Sequence, residues 1–268
     1  MSGLRFTKMS GAGNDFIVVD NRSGALDRHI TAKFVASVCR RGLSVGADGL
    51  IEILSSRLAR FRMRYRNSDG RVAGMCGNGA RCAVRFAADT GIVPPSGVVE
   101  FESDRGVHRA EIEESGEVRV WLQDPVVQFL DKALDLGASQ IRASLVDTGV
   151  PHAVVFVDDL SDGEFERSAP ALRHHPGLGP AGANADFVRA CGGGLELRTW
   201  ERGVEGETLA CGTGAVAAAL AASSLQGTPL PVDIGTRGGL TLTVGRDDHG
   251  WWLRGEARTV FRGELVSP

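Results

Sequence analysis

The chain has 268 residues, 43% of them hydrophobic and 24% charged, with a formal net charge of −3. That composition belongs to an ordinary folded chain and excludes a disordered or collagen-like one; the Lys and Arg are scattered, which gives no footprint for nucleic acid or an anionic membrane surface. The length allows one large domain or two of about 130 residues, and two is the expectation. The opening MSGLRFTKMSGAGNDF has no charged start followed by an apolar stretch, so neither a signal nor a transit peptide is expected and the chain reads as cytoplasmic. Strands are predicted at 16–20 (FIVVD), 50–54 (LIEIL) and 61–66 (FRMRYR), with a weak helix between them at 31–40. A stronger helix is predicted at 79–89, closed by Gly91; it keeps Arg81 and Arg85 on its polar side beside an Ala/Val/Phe stripe. Strands follow at 118–122, 152–159 and 195–201. The helix predicted at 214–226, closed by Gly227, has almost no polar face, as befits a helix surrounded by sheet. Its AVAAALAA run is the longest purely apolar one and falls far short of the roughly 20 residues a membrane span needs. Strands at 240–244 and 260–266 end the chain.

Two of these helices stand at the same place in two copies of one unit. Cys76-Gly77-x-Gly79-Ala80 recurs 135 residues later as Cys211-Gly212-x-Gly214-Ala215, and Ala83 and Ala87 fall on Ala218 and Ala222. Upstream, Tyr65-Arg66-Asn67 falls on Trp200-Glu201-Arg202; with one further residue of shift, Gly46-Ala47-Asp48 falls on Gly182-Ala183-Asn184 and Gly13-Asn14 on Gly149-Val150. Four landmarks in one register predict a duplicated α/β unit. The halves are expected at 1–116 and 117–259, with the end of the chain, 260–268, returning to the first.

Each copy sets a cysteine before Gly-x-Gly and a helix. A thiol at a helix N-terminus feels about half a positive charge and several unpaired N–H donors, which favours its thiolate; the same donors bind a carboxylate. A lone buried cysteine is usually structural, and Cys39, Cys82 and Cys191 are read so, but repetition in one Gly-flanked setting favours chemistry for Cys76 and Cys211. With five cysteines, an odd number, the thiols are expected to be free. No C-x-x-C and no ligand-like His spacing occur, so no metal is expected. Gly212-x-Gly214-x-x-Ala217 also fits a dinucleotide-binding pattern, but no proper strand precedes the glycines directly, which argues against a cofactor.

The segments KMSGAGNDFIVVD, NSDGRVAGMCGNGARC, TGVPHAVVF, GANADFV and ERGVEGETLACGTGA, spread over residues 8–215, resemble in order the signature segments of the diaminopimelate epimerase family. The resemblance implies an α/β (α+β) fold of two similar domains, each a curved mixed β-sheet wrapped round a central helix, with the active site in the interdomain cleft. It implies an isomerase that interconverts LL- and meso-2,6-diaminopimelate, without pyridoxal phosphate or any other cofactor, in bacterial lysine and peptidoglycan precursor biosynthesis. Its partner would be this small molecule, not nucleic acid or a membrane, and its assembly a homodimer. Carried over by position, Cys76 and Cys211 would be the acid/base pair of a two-base proton transfer, with His152 and Glu201 orienting or tuning the thiols. Asn14, Asn67 and Asn184 would hold polar groups of the substrate, Glu201 and Arg202 would lie in the cleft, and Gly77, Asn78, Gly212 and Thr213 would supply helix-end contacts.

Each of these also has a plainer reading: Asn and Gly serve turns, a Glu-Arg pair is often a solvated ion pair, and His152 begins a strand. The sequence departs from the family pattern at Val150 and Gly49, where many members carry Asn and some carry Gln; both changes remove a side-chain hydrogen bond. The alternatives are a racemase of another amino acid with the same two-cysteine plan, or a non-catalytic carboxylate-binding protein.

Overall fold

In a computed structural model, which describes residues 3–137 and 139–265, the chain forms two units. One is Leu122–Leu253; the other is built by the chain on either side of it. In the first unit, β1 (Leu4–Gly11) turns through Ala12-Gly13 into β2 (Asn14–Asp20), with Gly11 opposite Asn14. Both turn residues have positive φ, 55° and 99°, the twist a two-residue hairpin needs. Helix α1 (Ala32–Val38), capped by the Thr31 hydroxyl, carries the chain across to β3 (Gly49–Leu54), which lies parallel to β2. Strand β4 (Arg62–Asn67) pairs antiparallel with β3, the short β5 (Val72–Ala73) with β4, and α2 (Gly77–Asp89) follows. Strand β6 (Gly97–Ser103) makes one parallel bridge to β4, and β7 (Gly106–Ile112) and β8 (Val118–Trp121) continue from it as a meander.

The second unit repeats the plan. Strand β9 (Val126–Asp135) pairs with β10 (Gln140–Asp147), which hairpins into β11 (Pro151–Phe156). Helix α3 (Asp162–Arg173) crosses to β12 (Asn184–Cys191), parallel to β11; β13 (Gly194–Glu201) and the short β14 (Gly206–Thr208) return antiparallel, and α4 (Gly212–Gln226) follows. Strand β15 (Val232–Thr236) lies parallel to β13, followed by β16 (Thr241–Asp247) and β17 (Gly250–Gly255). The last strand, β18 (Arg258–Leu265), pairs antiparallel with β1 just as β9 pairs with β10. Val266, the end of the strand predicted at 260–266, lies outside the described residues, as do 267 and 268.

Burial explains the sequence of each layer. Ile17, Val19 and Leu50 pack with Phe34 and Val35 of α1, while neighbouring positions such as Ile51 and Met63 meet the first turn of α2 around Gly79. Strands β2 and β3 are thus covered on both faces, which is why they read as continuous apolar runs. In the second unit Ala153, Val155 and Phe187 pack on Phe165 and Leu172 of α3, while α4 is buried from Ala215 to Ala222, its small side chains letting sheet close around it.

Two expectations are corrected. Helix α3 was not among the predicted helices, because DGEFERSAPALR contains Gly163 and Pro170 and only a thin stripe of Phe165, Ala169 and Leu172. That stripe, at spacings of four and three, is nonetheless a helical face, and Phe165 meets Phe187 edge-on at 5.4 Å. Arg81 is not on a polar side of α2: it is fully buried, whereas Arg85 is half-buried and pairs with Asp89 at 2.8 Å.

Candidate active site

In the first unit Cys76 is the N-cap of α2. Its backbone is extended and its Sγ accepts the Gly79 N–H at 3.4 Å, as a serine cap would. Gly77 and Asn78 form the first turn, whose N–H groups have no carbonyl of the helix to bond. The β1–β2 hairpin comes close to this turn because Gly11 has no side chain: a Cβ there would stand 2.7 Å from the Asn78 carbonyl oxygen and 2.9 Å from Cys82 Sγ. The hairpin delivers Asn14 to the helix end. Asn78 Nδ2 donates to Asn14 Oδ1 at 2.5 Å, and Asn14 Nδ2 donates to Asp48 Oδ2 at 3.0 Å. Asn67 is not part of this cluster as described; its side chain is exposed and its carbonyl accepts the Gly70 N–H in the turn after β4.

In the second unit Cys211 is the N-cap of α4 and is 6% exposed. Gly212 and Thr213 open the helix, and the Thr213 hydroxyl lies 3.4 Å from Cys211 Sγ and 3.0 Å from His152 Nε2. His152, fully buried at the start of β11, places Nδ1 2.6 Å from Oδ2 of the equally buried Asp186. Thr199 donates to the other Asp186 oxygen at 2.6 Å. Asn184 opens β12; its Oδ1 accepts the Arg202 backbone N–H at 2.8 Å, and its Nδ2 lies 3.3 Å from His152 Nε2.

Donor and acceptor roles in this chain are fixed from both ends. The Arg202 N–H only donates, so Asn184 turns its NH2 toward His152 and Nε2 must accept; the Asp186 carboxylate only accepts, so Nδ1 carries the hydrogen. The Thr213 hydroxyl lies between Nε2 and the Cys211 sulfur: turned to Nε2 it can accept the Cys211 S–H, and turned to the sulfur it donates to the thiolate. A Cβ at Gly214 would stand 2.6 Å from Asp186 Oδ1, so glycine lets the helix start reach this carboxylate.

Burial, together with the Glu201 and Asp186 carboxylates, pushes the Cys211 thiol well above its ordinary range, while the Thr213 hydroxyl and the Gly214 N–H pull it back. Glu201, half-buried at the end of β13, thus acts on this sulfur; Arg202, half-buried, follows it. Burial also raises Cys39, to about 11, and Cys82, to about 12, with no helix end to offset it. None of the five cysteines is in a disulfide. Among the described residues no group of three His, Cys, Asp or Glu side chains is placed to hold a metal ion, and no helix is long and apolar enough to cross a membrane.

Asp186 and Asp48 were missed as site residues from sequence. The available signal was physical: Asp186 stands between Ala185 and Phe187 in a strand buried on both sides, where a carboxylate must find donors.

Residues 6–127 and 144–260 match the family model for diaminopimelate epimerase. Diaminopimelate epimerase of Chlorobaculum tepidum is 42% identical over 96% of this chain and 100% of its own length, that of Aquifex aeolicus 41% over 98% of each, and that of Methanocella arvoryzae 38% over 99% of this chain and 98% of its own. Among solved structures, a Bacillus anthracis phenazine biosynthesis protein of the PhzF family superposes with a TM-score of 0.76 at 15% identity, covering 100% of both chains. A probable proline racemase from Agrobacterium radiobacter gives 0.73 at 16%, over 98% of this chain and 93% of that one. These likenesses establish a shared fold. Matched in both halves by the family model and along nearly its whole length by the relatives, the chain belongs to the diaminopimelate epimerase family.

Proposed function

We propose that this protein interconverts LL- and meso-2,6-diaminopimelate by transferring a proton between Cys76 and Cys211 and the substrate's α-carbon. The observation that carries the reading is that one chain of this family holds two cysteines, each N-capping a Gly-rich helix start, one in each half. Inversion at carbon by deprotonation needs a base on one face and an acid on the other, so one thiolate and one thiol suffice in both directions. The environment of Cys211 favours its thiol form, the form in which it can deliver a proton. The hydrogen-bonded set Asp186–His152–Thr213 orients the Cys211 S–H and takes up the change when the roles reverse. Negative charge that develops on the substrate carboxylate as the proton leaves suits the unpaired N–H groups of a helix's first turn, such as the turn that follows each of the two cysteines. Asn14, Asn78, Asn184 and Arg202 are the groups that recognise the polar ends of the substrate; Val150 and Gly49 leave this work to their neighbours.

The test is turnover of a panel by purified protein with no added cofactor: LL-diaminopimelate, meso-diaminopimelate, proline, lysine and histidine. Interconversion of the two diaminopimelates alone is expected. Racemisation of proline or another member without diaminopimelate turnover would overturn the reading.

A further inference from the structure

Arg81 is out of place for a core residue. It lies in the second turn of α2, fully buried, and makes no ion pair with a carboxylate among the described residues. Its Nη2 donates to Asn78 Oδ1 at 2.9 Å, while Nε and Nη1 are buried without a hydrogen-bond partner. A guanidinium buried on one hydrogen bond is costly to the fold, and an apolar side chain of similar length would pack there at no such cost.

We infer that Arg81 and Asp48 are positioning residues that lock the side-chain amides of Asn78 and Asn14 in one orientation toward the substrate, an inference that rests on the function proposed above. The four side chains form one line of hydrogen bonds, from Arg81 to Asn78, to Asn14, to Asp48. An amide can ordinarily turn over and exchange its donor for its acceptor. Here the first member only donates and the last only accepts. Asn78 must therefore turn its oxygen to Arg81 and its NH2 to Asn14, and Asn14 must turn its oxygen to Asn78 and its NH2 to Asp48. Turning either one over would set donor against donor at Arg81 or oxygen against oxygen at Asp48.

Asp48 is itself held. Its Oδ2 also accepts the Asp15 N–H at 3.1 Å, and its Oδ1 accepts Arg41 Nη2 at 2.7 Å. Each asparagine spends one N–H and one oxygen lone pair on the line and keeps a second N–H, so the pair presents a fixed set of donors suited to a carboxylate beside Cys76. The arrangement is confined to the first half. At the related positions of the second half stand Val216, Thr213, Val150 and Asn184, which cannot form such a line. The two halves therefore differ in what they can recognise, and a substrate with a unique orientation is read by the asparagine half.

Kinetics and melting of the full-length Arg81→Met and Arg81→Lys variants beside the parent test this. Arg81→Met is expected to keep or raise the melting temperature, because it removes buried unpaired donors, yet to raise KM for diaminopimelate about tenfold with kcat within about threefold. Arg81→Lys, which can still donate to Asn78 Oδ1, is expected to bring KM back to within about threefold of the parent. If Arg81→Met does not fold, Asp48→Asn carries the test, since an amide at that end frees Asn14 to turn over and the same rise in KM is expected. An unchanged KM in a folded Arg81→Met, or in Asp48→Asn where that variant carries the test, would overturn the inference while the active parent upholds the function. A parent that turns over no diaminopimelate would refute the function and this inference with it.

Discussion

At the scale of single residues the two cysteines differ in burial although their settings are copies: Cys211 is buried and Cys76 half-buried. Cys211 has two carboxylates acting on it, Glu201 and Asp186, and both favour the thiol over the thiolate. Removing one negative charge stabilises the thiolate, so Glu201→Gln lowers the pKa of Cys211. The expected result is that the midpoint of the pH profile for Cys211 alkylation moves down. Mass-resolved alkylation rates from neutral to alkaline pH measure it; a midpoint that stays or rises would contradict the role given to Glu201. The motif residues were legible in the sequence as residues, but their partners were not. Asn14 and Asn78 were readable as polar groups near a helix end, whereas the residues that hold them were not: Asp48 meets Asn14 across 34 residues, once β3 pairs beside β2, and Arg81, one turn along α2 from Asn78, is the kind of residue usually left in solvent.

At the scale of elements the site depends on close approach of backbone to helix ends. Gly11 lets the β1–β2 hairpin reach the first turn of α2, and Gly214 lets α4 start against Asp186. Gly11→Ala is expected to cost about 2 kcal/mol of stability, because the neighbours of its Cβ are a backbone oxygen and a buried sulfur that have no room to give. Gly214→Ala instead presses on a carboxylate hydrogen-bonded to His152, and its larger effect is expected in kcat. Urea unfolding and steady-state rates of the two variants check this; a Gly214→Ala enzyme with parental kcat would count against the Asp186–His152–Thr213 set. Helices α2 and α4 were legible because Gly-rich starts, small apolar bodies and terminal Gly or Thr-Gly coincide there. Helix α3 was not, since it covers only one side of its sheet and its sequence sets two breakers, Gly163 and Pro170, among only three apolar anchors. Several strands outside the long apolar runs, β6 and β9 among them, also went unread; β9 buries only Leu134 and so has no apolar face to show.

At the scale of the whole molecule the duplication is the feature the sequence displayed most openly. Both halves run hairpin, helix, parallel strand, antiparallel strand, short strand and helix, and each has one more strand beside the hairpin's first, β18 from the far end of the chain for one and β9, directly before the hairpin, for the other. Repetition preserved the thiol and the helix end, the parts a symmetric proton transfer needs twice. It did not preserve what surrounds them: an asparagine line in one half, a histidine and carboxylate in the other. A two-base mechanism makes a direct demand on this pair. When the reaction is run in D₂O from one pure isomer of diaminopimelate, the proton leaves to one thiol and the product receives its hydrogen from the other, already exchanged with solvent. Early in the reaction the account predicts deuterium at the α-carbon of the product while recovered substrate stays protiated, with epimerisation abolished in both Cys76→Ala and Cys211→Ala. Equal early labelling of substrate and product, or epimerisation surviving in either variant, would contradict it.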